Sequence, residues 1–196
     1  MKKWRNLFVI ISVLLLLFIG WKRYRIVNYT IQSPEIRTFQ LGEEVEMEKD
    51  ILINYTMEGY SITVTAAEIL TYDEFLDKYL LEDEYSYVPE KIYDVEVILK
   101  NSNAAWDTGI NLSEFYLQKG AVCASLDINL YGEANPDLGG IFMLALRPES
   151  EIRLRLPFAL YKDNFKAKTW ENLENQGLEL VVTLYPVKKV ISLSGG

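Results

Sequence analysis

Along Lys91-Ile-Tyr-Asp-Val-Glu-Val-Ile-Leu-Lys-Asn101, the apolar residues Tyr93, Val95, Val97 and Leu99 alternate with Asp94, Glu96 and Lys100. A period of two places the two sets on opposite sides of a strand, so one face is dry and the other wet. The same period runs through 60–66, 152–160 and 178–184. These segments predict strands gathered around one sheet-lined core. In 152–160 the apolar Ile152, Leu154, Leu156, Phe158 and Leu160 share one side. A slip of one residue would bury Arg153 and Arg155 instead, which fixes the register. Pro157 cannot donate to a ladder and assigns this strand to an edge or a bulge.

Weaker signals fill the rest of the chain. A turn at Leu41-Gly42 leads into a first edge strand, and 51–55 reads as a short second one. Thr71-Tyr-Asp-Glu74 is a capping box, in which hydroxyl and carboxylate each satisfy a free amide at a helix start. It predicts a helix from Tyr72 to about Leu80, with Phe75, Leu76, Tyr79 and Leu80 on one side. An acidic, tyrosine-bearing loop over 82–89 follows. Segments 110–118 and 121–126 form a hairpin across Lys119-Gly120, 127–140 is a long loop and 141–146 a further strand. Two strands flanking Pro186 close the chain.

The amino terminus obeys a different pattern. Residues 7–21 contain no charge, a run of fifteen that spans about 22 Å as a helix. A hydrocarbon core is roughly 30 Å thick. Trp4, Trp21 and Tyr24 suit interfacial depth, and Arg5, Lys22 and Arg23 can snorkel, so the flanks extend the reach to a full crossing. No small-residue cleavage site follows the run, which favours an uncleaved signal anchor over a removed leader. The expected organisation is a basic tail at 1–6, a transmembrane helix at 7–24 in contact with the lipid bilayer, a stalk at 25–39 and a β-sandwich domain at 40–196. With the amino terminus inside, the domain is extracytoplasmic.

Composition narrows the chemistry. Six bases and no acid precede residue 26, leaving 14 of the 20 bases against all 28 acids and a net charge of −14 on the remainder. Such a surface repels a phosphate backbone, and nucleic acid is not an expected partner. The chain has no histidine and one cysteine, Cys123. Serine or cysteine nucleophiles paired with histidine, histidine-bearing zinc sites and internal disulfides are therefore all excluded. The acidic group Asp73, Glu74, Asp77, Glu82, Asp83 and Glu84 has no spacing that converges on a metal. The loop from Asp127 lacks the bidentate Glu of a calcium loop, with Leu138 in its place. No metal and no cofactor is expected.

The succession Leu41-Gly42-Glu43, Glu58-Gly-Tyr-Ser-Ile-Thr-Val64, Val95-Glu-Val-Ile-Leu-Lys-Asn101 and Leu146-Arg-Pro-Glu-Ser150 resembles the immunoglobulin-like domains of unknown function carried behind a single membrane anchor in Gram-positive bacteria. The resemblance implies an all-β, immunoglobulin-like antiparallel β-sandwich with a short helix inserted between strands. It carries over no catalytic or binding residue. The expected function is a non-catalytic, membrane-tethered module that engages another cell-envelope protein. A module binding cell-wall glycan or a cation is the alternative, with Trp106 and Trp170 as sugar-stacking candidates, and a carboxylate-based hydrolase is the third reading. Tyrosine buries a large area at low entropic cost, and Tyr72, Tyr79, Tyr85 and Tyr87 are the candidate partner-binding residues.

Overall fold

The computed structural model describes residues 2–30, 34–53, 56–82, 88–102, 109–120, 122–173 and 177–193. Two compact units result, an amino-terminal helix and a domain that begins at Pro34.

The helix α1 (Lys2–Thr30) is continuous over 29 residues, about 44 Å at 1.5 Å per residue. Every described side chain on it is exposed, including Ile10, Leu14, Leu16, Phe18 and Trp21. Phe18 and Trp21 lie 6.2 Å apart, and the Arg25 guanidinium sits 5.5 Å from the Trp21 ring. The expected crossing helix is qualified in one respect. Among the described residues no helix is long and apolar enough to cross a membrane. The continuous run of described side chains, 10–28, carries the three bases Lys22, Arg23 and Arg25, which cut its apolar stretch short.

The domain is β-rich. Its elements, in order, are β1 (Glu35–Phe39), β2 (Glu44–Glu46), β3 (Tyr60–Thr71), α2 (Tyr72–Tyr79), β4 (Lys91–Asn101), β5 (Ile110–Asn111), β6 (Tyr116–Lys119), β7 (Val122–Ser125), α3 (Ile128–Ala134), β8 (Met143–Leu144), β9 (Ser150–Leu160), α4 (Ala167–Glu171), β10 (Glu179–Thr183) and β11 (Val187–Ser192). One sheet has the order β2-β3-β4-β9 and a second β1-β11-β10-β6-β7, and β5 with β8 forms a separate ribbon.

The long strands follow from the alternation. Val97 of β4 sits opposite Val64 of β3 and Leu154 of β9, and all three are buried. β9 is an edge strand, so Pro157 withholds no needed donor. β3 continues five residues past the expected end at Ala66. A bulge between Val64 and Ala66 shifts the register by one residue. Ala67 and Ile69 thereby face Val95 and Tyr93 of β4 and pack on the same core as Ile62 and Val64. Both sheets contribute to one cluster, with Val95, Leu156 and Phe158 from the first and Leu117, Leu180 and Ile191 from the second.

Four expectations are corrected. Residues 35–39, read as stalk, form β1, which pairs with β11 and so belongs to the domain. That pairing is parallel, which departs from an all-antiparallel arrangement. The long loop at 127–140 contains α3, whose first amides are satisfied by Asp127 acting as its cap. The strands expected over 141–146 and 51–55 shrink to Met143–Leu144 and to isolated bridges from Ile51 to Thr56 and Tyr185, with 54–55 outside the described residues.

Candidate functional site

Two helices cover the outer face of the β2-β3-β4-β9 sheet. α2 begins with the expected capping box, Thr71 Oγ1 accepting from the Glu74 amide while Glu74 Oε2 accepts from the Thr71 amide at 2.7 Å. Phe75 and Leu76 then turn toward the sheet and meet Ile92 of β4 and Leu130 and Ala134 of α3 in a second, smaller core. α3 is fastened to β9 by Asn135. Its Nδ2 donates to the Arg155 carbonyl at 2.9 Å, and its Oδ1 accepts from the Arg155 amide at 2.8 Å.

This covering changes the character of the face beneath it. Asp94, on the wet side by alternation, is completely buried. Its Oδ2 accepts from the Tyr79 hydroxyl at 2.7 Å and from Lys78, and the Arg155 guanidinium lies 3.5 Å away. Its Oδ1 is buried with no hydrogen-bond donor. Two residues along, Glu96 accepts from Thr65 Oγ1 at 2.6 Å and from Arg153 at 2.8 Å, and forms an ion pair with Arg155. Lys78 also reaches Glu68 at 2.6 Å. Three acids thus face three bases.

The proton affinities follow that balance. Hydrogen bonding from Thr65 first, and then the two guanidinium groups against the opposing effect of burial, holds Glu96 below the usual carboxylate range. Burial, aided by donation to Asp94, pushes the Tyr79 phenol far above its ordinary value. Neither shift moves a group toward neutral pH, where a general acid or base works best. The face therefore acts as a brace between helix and sheet. It also makes a pH prediction. A depressed carboxylate contributes stability that is complete above its unfolded pKa of about 4.3 and is lost as pH falls through the lower folded value. Glu96→Gln is expected to flatten the acid side of the stability curve, read by urea unfolding at a series of pH values. An unchanged slope would remove Glu96 from acid sensitivity.

A second buried charge group lies at the join of the two sheets. Lys189 of β11 is 2% exposed. Its ammonium donates to the Glu46 carbonyl at 2.7 Å and to Glu48, and lies 2.9 Å from Asp50 Oδ2. Asp50 Oδ1 accepts from the Val187 amide at 3.3 Å. Asp50 Oδ2 has no hydrogen-bond donor of good geometry, so the ammonium compensates its charge as an ion pair.

The tyrosine proposal is redrawn by these placements. Tyr72 is buried in the smaller core, and Tyr79 turns its hydroxyl inward to Asp94, because α2 folds back on the sheet. Tyr72 is thereby withdrawn from the surface, whereas Tyr79 is half-buried and lines a hollow beside Arg153 and Arg155. Tyr85 and Tyr87 lie outside the described residues, as does Trp106. Trp170 packs on Phe165 at 5.3 Å, with the Lys91 ammonium 5.7 Å from its ring, so its surroundings are already furnished by the domain. Trp4, Trp21 and Tyr24 are exposed on α1. Among the described residues no group of three acids or thiols could hold a metal ion. Asp127 is engaged as the α3 cap, accepting from Asn129 and Leu130. Cys123 is exposed on β7, an edge strand, and partial burial raises its thiol pKa, opposite to the activation of a nucleophile.

Also on the helical face, a hollow of about 890 Å³ lies between the end of α2 and α3. Leu80, Leu81, Glu82, Ile128 and Glu133 line it, together with glycines 132, 139 and 140. This place is hidden in the sequence, because the turn residues of 127–140 predict a loop where α3 forms.

Residues 36–189 match one family, described as Domain of unknown function (DUF5028). No curated protein and no solved structure matches the chain.

Proposed function

The chain belongs to the DUF5028 family, and on that premise we propose that it is a non-catalytic, membrane-tethered module that presents its domain outside the cytoplasm to another envelope protein. The observation that carries this reading is α1. From Ile10 to Trp21 it exposes ten large apolar side chains. Leaving each in water rather than burying it costs about 1.5–3 kcal/mol. A bilayer would remove that cost, with the uncharged sequence 7–21 in its core and Trp4, Trp21 and Tyr24 at its borders.

The scaffold we propose is an immunoglobulin-like sandwich, supported by sheets of four and five strands that share one core. The successive long strands β3 and β4 lie side by side in one sheet, and α2 is the insertion between them. Charges that neutralise one another around Asp94 support a binding role over a hydrolytic one.

The test is membrane extraction. The full chain should stay with membranes through alkaline carbonate and high salt, and leave only with detergent. A chain lacking residues 1–33 should appear in the soluble fraction. Protease added to intact cells should remove the domain. Release by carbonate, or protection from protease, would defeat the tether or its orientation respectively.

A further inference from the structure

The hollow between α2 and α3 contains a residue that is costly twice over. Leu80 ends α2 in the left-handed region, with φ 55° and ψ 45°. That conformation is strained for an L-residue, and glycine is its usual occupant at a helix end. The same leucine leaves its side chain 91% exposed. Glycine would relieve both costs. Ile128, the first residue of α3, is 45% exposed and lines the same hollow with Leu81.

Charge identifies the occupant. The charged residues among those lining the hollow are Glu82 and Glu133, with no base beside them. The chain beyond residue 25 carries a net charge of −14. The exposed side chains of Leu80 and Ile128, set beside two acids, complement a helix that bears apolar side chains on one face and bases at its border. We propose that this hollow docks a cationic amphipathic segment of a partner polypeptide, its apolar side chains over Leu80, Leu81 and Ile128 and its bases toward Glu82 and Glu133. The proposal rests on the reading of the chain as a binding module and names the chemistry of its partner.

The experiment uses the full chain in phosphatidylcholine nanodiscs. The probe is a fluorescent helical peptide of about 18 residues, long enough to hold a helix, with leucine on one face and lysine on the other. Empty nanodiscs provide the background, and a peptide with glutamate in place of lysine is the control. The lysine peptide should bind, more weakly as salt rises, and the glutamate peptide should not. Leu80→Gly should weaken binding about tenfold, the scale of a central apolar anchor, while the melting temperature stays level or rises. Ile128→Ser should weaken binding in the same direction. Glu82→Gln with Glu133→Gln should weaken it several-fold, whereas Glu149→Gln with Glu151→Gln, an equal charge change outside the hollow, should not. Full affinity in the Leu80→Gly chain, equal loss in the two charge pairs, or equal binding of the two peptides would each overturn the proposal. Peptide binding lost while membrane retention persists would defeat the docking alone; the reverse would defeat the tether alone.

Discussion

Lys189→Ala is expected to destabilise the domain by about 3–5 kcal/mol, the range for removing one partner from a buried ion pair. The ammonium is the charge partner that Asp50, itself 4% exposed, has at 2.9 Å. Without it Asp50 must either take up a proton or remain ionised in a poorly solvated place. Glu48, half exposed, can return to water and adds less to the loss. Equilibrium unfolding of the full chain in mild detergent measures the effect. The paired variant Lys189→Met with Asp50→Leu removes both charges together and should recover most of the stability, since apolar replacement of a buried pair is commonly neutral or better. A loss below about 1 kcal/mol in Lys189→Ala, within the range of an exposed pair, would mean that the group is solvated.

Asp94→Ala is expected to cost about 2–4 kcal/mol, because it removes the shared acceptor of a hydrogen-bonded network. Lys78 and Arg155 retain Glu68 and Glu96 as partners, which limits the loss. The Tyr79 hydroxyl loses the acceptor it now uses. The effect should be local as well as global. Amide exchange in 72–79 should accelerate more than in β4 or β9, because the network joins α2 to the sheet. Uniform acceleration across the domain would show that Asp94 does not act as a latch for α2.

These two carboxylates show where sequence reading stops. Asp94 and Glu96 stand at wet positions of an alternating strand, and alternation assigns a side without saying what lies over it. α2 and α3 cover that side, so one acid is buried and the next is 13% exposed. Lys189 likewise stands in a closing strand whose residues read as ordinary surface and core. Its environment is made by Glu46, Glu48 and Asp50, more than a hundred residues earlier in the chain. No local pattern encodes such a separation.

The sequence by itself determined the strands at 91–101 and 152–160, their facing and register, the capping box of α2, the uncharged run near the amino terminus and the exclusion of histidine chemistry. Those properties are set by nearest neighbours and by periodicity, which a linear reading contains. Tertiary structure alone decided that 35–39 joins a sheet beside β11, that a bulge re-phases β3, that a helix occupies 128–134, and that Tyr72 and Tyr79 face inward. Each depends on which distant segment supplies the missing hydrogen bonds or apolar cover, so the free energy that selects it resides in contacts between elements rather than within them.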